Sequence, residues 1–83
     1  MKTLVSRHFL ERVRARNVDA RDLERAAKEL ERIAARGGSK GVISASTKTE
    51  NGMYMFRHGE CRIVFTIQDD RDGEKLVVLM TVF

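Results

Sequence analysis

Three polar residues stand close together in a stretch that otherwise reads as buried strand: Arg57, His58 and Arg62 in YMFRHGECRIVF, residues 54–65. Arginine carries a permanent cation on a planar donor fork that matches phosphate oxygens. Histidine titrates near neutrality and can exchange a proton at physiological pH. Such a trio could be the working end of a small nucleic-acid enzyme, with an imidazole to exchange protons and fixed cations to hold phosphate charge. Arg62 is the candidate for phosphate binding, Arg57 for a second phosphate oxygen and His58 for proton exchange. A structural reading stands beside this one. His58-Gly59 suits a tight hairpin turn, Arg57 could pair with Glu60 across it, and Arg62 could spread its stem over apolar surface with its head on Glu60 or Glu50.

A second basic group lies near the start. His8, Arg12 and Arg16 are spaced four apart and form one column on a helix. The column could follow a nucleic-acid backbone, with Arg7 and Arg14 as outlying contacts, or be a solvated face in which Glu11 pairs with Arg7. Met53, Met55 and Met80 suit core filling or a surface that adapts to a protein partner. The formal charge of +4 is uneven: residues 1–40 hold eleven Lys/Arg against six Asp/Glu, and residues 41–83 hold five against six. The basic field that could attract RNA, DNA or an acidic protein therefore sits in the first half.

Other chemistries lack their residues. Cys61 is the only cysteine, which removes an intramolecular disulfide and leaves no thiolate zinc site; it reads as a small buried apolar residue. There is no glycine-rich phosphate loop, paired-carboxylate site or nucleophile triad. No metal site and no cofactor is expected. With no Trp, and with Phe and Tyr needed in the core, base stacking on aromatics is disfavoured. No signal peptide or membrane-length apolar run is visible, so a soluble, cytoplasmic protein is expected.

The 83 residues predict one domain, 1–83. A first helix begins near Thr3 or Ser6, carries Phe9 and Val13 on an apolar stripe that Leu10 widens, and closes at Asn17. A second starts from an Asp19 N-cap, with Val18 and Leu23 forming a hydrophobic staple, and stops at Gly37-Gly38. The period then changes to two. Val42–Lys48 reads as a first strand, residues 49–52 as a loop, and two strands flank His58-Gly59. An acidic turn over residues 69–73 leads into a last strand. This predicts an α+β fold, α-α-β-β-β-β, with an N-terminal helical hairpin on one face of a four-stranded antiparallel sheet. One sheet face carries Tyr54, Phe56, Cys61, Ile63, Phe65, Ile67, Val77 and Leu79 and should meet the helices. The other carries Met53, Met55, Arg57, Arg62, Val64, Thr66, Leu76, Val78, Met80 and Val82. That face is too apolar to meet water alone, so a partner chain, a second copy or a ligand should cover it.

Two helices, a strand of the type CRIVFTIQDD, an acidic turn and a terminal VVLMTVF resemble the RelE/ParE toxin superfamily. The pattern Ser6-x-His8-x-x-x-Arg12-x-x-x-Arg16 is similar to one common in its small uncharacterised and BrnT-like branches. The resemblance implies a metal-independent messenger-RNA endoribonuclease that meets RNA in the ribosome and is held by an antitoxin. Arg57, His58 and Arg62 match its functional residues by type and by rough strand position. Two features depart from it: the last strand runs to Phe83 without the tail that carries a functional Tyr, His or Lys in many of these toxins, and the basic loop after the second helix holds only Lys40 and Lys48. The alternative is a non-enzymatic, phage-encoded interaction module that binds a host protein, or its own twin, through the Met/Arg face. A further reading is DNA binding through the first helix.

Overall fold

The computed structural model describes residues 2–49 and 51–83 of the chain. The elements in order are β1 (Lys2–Val5), α1 (Arg7–Ala15), α2 (Ala20–Ser44), β2 (Thr47–Lys48), β3 (Tyr54–His58), β4 (Cys61–Asp69) and β5 (Lys75–Val82). The fold is α+β, as expected, but the sheet is five-stranded and mixed, in the order β1-β5-β4-β3-β2. β1 is the added strand. It runs parallel to β5, with Leu4 beside Val78, so the chain opens with an edge strand rather than with a helix. Four residues without alternation leave little sequence signal for such an edge.

The two helices start where side chains can serve their free N–H groups. Ser6 is the N-cap of α1 and its Oγ accepts from Phe9 N at 3.0 Å. Asp19 caps α2, accepting from Arg21 N at 2.8 Å and Asp22 N at 3.3 Å. Between them Asn17 adopts φ 51°, the left-handed conformation that closes α1.

Helical geometry breaks where the stop at Gly37-Gly38 was expected, but the expected strand over Val42–Lys48 is overturned. α2 bends at Gly38 (φ 61°, ψ −153°), a conformation open essentially only to glycine, and helix resumes as far as Ser44. Two packing facts explain the resumption. Val42 is fully buried in the core, and a Cβ at Gly41 would stand 3.4 Å from the Ile33 carbonyl oxygen. The glycine thus lets the second helical segment close onto the first. Only Thr47–Lys48 of the expected strand pairs, against Met55 and Tyr54.

Phe9, Ala26, Leu30 and Val42 from the helices meet Phe56, Cys61, Ile63, Phe65, Val77, Leu79 and Val82 from the sheet in one core. Tyr54 stacks on Phe65 at 5.7 Å beside it. Registers differ from expectation by two residues, which preserves the faces. Arg57 stands opposite Arg62 and His58 opposite Cys61, so the turn is Gly59-Glu60 rather than His58-Gly59. One face assignment does change. The β4–β5 register shifts between Val64 and Phe65, leaving Met80 and Thr81 together against Val64. That extra residue turns Val82 from the open face, where it was expected, into the core.

Candidate nucleic-acid interface

The helices cover one face of the sheet and leave the other open. Pairing sets the open face out row by row. Leu4, Val78 and Thr66 form one row, and Lys2, Leu76 and Gln68 another. Met55 and Val64 follow, beside Met80 and Thr81 at the bulge. Met53, just before β3, continues the same alternation. The three methionines are half-buried, and Met55 and Met80 flank Val64, which is buried although it stands outside the core beneath the helices.

Arg57 and Arg62 close this face at the β3–β4 turn. They are direct cross-strand partners, both exposed. Two like charges so placed destabilise a strand pair. Nothing acidic offsets them among the described residues: Arg57 only donates from Nε to the Gly59 carbonyl, at a long 3.4 Å. The expected pairing of Arg57 with Glu60 across the turn does not form, and Glu50, the other expected partner of Arg62, lies outside the described residues. Arg62 also exchanges two backbone hydrogen bonds with Phe83, at 2.9 and 3.3 Å.

His58 stands apart from the two arginines. Paired with Cys61, it faces the helices, and its ring stacks on Phe56 at 6.4 Å. Its neighbours are the residues under α2. Glu29 there has its carboxyl held below the ordinary carboxylate range, chiefly by the hydrogen bond from Arg32 and further by the charges of Arg32, His58 and Arg36. The expected trio is therefore split, with two cations on the open face and the imidazole on the other.

The α1 column forms as expected. Arg12 Nε donates to His8 Nε2 at 3.4 Å, and the Arg16 guanidinium lies 4.6 Å from the centroid of the Phe83 ring. Leu10, across the buried stripe from this column, lines an apolar groove with Val5, Phe9, Val13, Ala20, Leu23, Ala27 and Leu79, about 310 Å³ in volume. Arg16 and Phe83 link the column to Arg62. The belt so formed, Arg12–Arg16–Phe83–Arg62–Arg57, contains no acidic ion-pair partner among the described residues.

Phe83 is the member that sequence reasoning missed. It follows the last core strand and is 46% exposed. The bulge is the cause, because the one-residue shift sends Val82 inward and Phe83 outward.

Cys61 is buried beneath the start of α2, and burial, reinforced by the charge of Asp22, pushes its thiol above the ordinary 9.0. That is the environment of an inert core thiol. The described residues include no cluster suited to a metal ion. Among them, no helix is long and apolar enough to cross a membrane.

No protein-family model and no curated protein matches the sequence. A solved structure does match in shape. It is the crystal structure of the toxin–antitoxin complex RelBE2 from Mycobacterium tuberculosis, which superposes with a TM-score of 0.63 over 98% of this chain and 93% of that one, at 15% identity. The fold is RelE-like. The two helices and the antiparallel strands expected from the sequence are present, together with β1 and its parallel pairing.

Proposed function

We propose that this chain is a toxin-like module whose open sheet face engages RNA through Arg57 and Arg62. The observation that carries the reading is the pair itself. Two exposed guanidinium groups face each other across β3 and β4 with no acidic partner among the described residues. A polyanion would convert that repulsion into two charge-assisted contacts. Arg12 and Arg16 extend the same field along α1, and the likeness to a toxin supports the direction of the reading. Metal-independent cleavage is its finer form. The arginines would hold phosphate, and the base would have to come from somewhere other than His58, which faces the helices.

The test is induced expression in bacteria, scored by growth and by transcript integrity. Wild type, Arg57→Ala/Arg62→Ala and His58→Ala would be compared, with folding checked by circular dichroism. Growth arrest with cut transcripts is expected, relieved in the double variant and kept in His58→Ala. Arrest with intact transcripts would end the ribonuclease form.

A second reading, a protein-interaction module, is favoured by exposed apolar side chains. Leu4, Val5 and Leu10 are about half exposed (50%, 48% and 56%); Val5 and Leu10 line the groove between the helices, and Leu4 stands on the open face at the unpaired edge of β1. The RelBE2 toxin was crystallised with its antitoxin, and an antitoxin, a host protein or a second copy could cover these residues here. Sedimentation velocity at increasing concentration tests the second copy: a constant monomer mass removes it, and a dimer supports it.

A further inference from the structure

Beside the arginine pair lies a cleft of about 190 Å³, lined by Arg16, Val18, Asp19, Asp22, Glu60, Cys61 and Phe83. Its volume is several times the ~30 Å³ share of one water in the liquid. Its walls differ in chemistry. One side is the exposed Phe83 ring with the Arg16 guanidinium 4.6 Å from its centroid, a flat surface of the kind on which unpaired bases stack. Val18 and Cys61 give it an apolar floor. The lining also carries carboxylates. Asp19 already uses an oxygen to cap α2, whereas Asp22 and Glu60 are exposed and take part in none of the ion pairs among the described residues.

We infer that this cleft takes a single unpaired guanine base. An ionised carboxylate only accepts hydrogen bonds. Guanine alone among the common bases presents two adjacent N–H donors, N1–H and the 2-amino group, on its Watson–Crick edge. Uracil offers one donor there, and adenine and cytosine one amino group each. Stacking on Phe83 and Arg16 would place that edge toward Asp22 and Glu60. The sugar-phosphate would leave the cleft past Arg62, whose backbone is hydrogen-bonded to that of Phe83. The division of labour follows: the arginine pair holds phosphates without regard to sequence, and the cleft reads one base. The inference rests on the RNA reading above and adds the base that would be selected.

The test uses the full chain and short fluorescent RNAs: hexauridylate, the same hexamer with one central guanosine, and the same with inosine, which lacks the 2-amino group. Fluorescence anisotropy should show the guanosine hexamer binding about tenfold tighter than hexauridylate, the scale of one bidentate hydrogen-bonded contact to a base edge, with inosine between them. Glu60→Gln should bring the guanosine hexamer close to the hexauridylate value while leaving hexauridylate unchanged, and Phe83→Leu, which removes the stacking surface, should weaken the guanosine hexamer most. Arg57→Ala/Arg62→Ala should weaken all three RNAs by a similar factor. Equal affinities for the three RNAs, or a preference that survives in both Phe83→Leu and Glu60→Gln, would overturn the guanine assignment and leave phosphate binding standing. If no RNA binds, the RNA reading falls, and guanosine 5′-monophosphate decides the cleft by itself. Amide shifts at Cys61 and Phe83 with this nucleotide, absent with the uridine nucleotide, would keep a free-nucleotide site; no shifts would remove it.

Discussion

Arg57 and Arg62 sit opposite each other because β3 and β4 pair as they do, and parity alone carries both to the open face. Parity equally carries His58 to the other. That separation was legible in the alternation of the sequence. Spacing along the chain hides it, because adjacent residues of a strand point to opposite faces. Cys61 is the residue whose environment gives a measurable pH effect. Its thiol is pushed up by burial and by Asp22, so the unfolded chain gives up this proton before the folded one does. The contribution to stability is whole below the ordinary thiol value of 9.0 and declines as pH rises past it. Urea unfolding at pH 7 and pH 10 should show a fall in stability that is smaller in Cys61→Ala than in wild type. An equal fall in both would mean that the thiol is not the group responsible.

Among the elements, caps were easy to see and endings were not. Asp19, Val18 and Leu23 specify the start of α2 locally, through hydrogen bonds and contacts within one turn. Its end depends on tertiary contacts: Gly37-Gly38 has the chemistry of a stop, but burial of Val42 and the close approach at Gly41 restart the helix. The β-bulge is also silent in sequence, because nothing in LVVLMTVF marks Met80 as the extra residue, and with it went the placement of Val82. β1 is too short to announce itself. A direct check falls on Gly38, whose φ of 61° and ψ of −153° suit no side-chain-bearing residue. Gly38→Ala should cost about 1–3 kcal/mol in chemical denaturation, although a Cβ there meets open space. Gly37→Ala, with no positive φ, should cost less. Equal losses at the two positions would contradict the kinked helix.

For the molecule as a whole, the organisation legible from composition was the division between a basic helical half and a near-neutral strand half, together with one sheet face too apolar to be left bare. The structure joins the two: α1 brings Arg12 and Arg16 to the same end of the sheet as Arg57 and Arg62, through the contact of Arg16 with Phe83. The identity of what lies on that face was not legible, since apolar rows flanked by cations suit RNA and protein alike. Salt separates them, because phosphate contacts release counterions while apolar burial does not. The measurement that bears most directly on the central claim is therefore the affinity for single-stranded RNA across a salt series, for wild type and for folded Arg57→Ala/Arg62→Ala. The account predicts steep weakening with salt in wild type. In the variant, affinity should be lower and the log–log slope shallower by about 1.4, the share of two phosphate contacts on a single strand. RNA binding with the same affinity and slope in both proteins, or none in either, would contradict it.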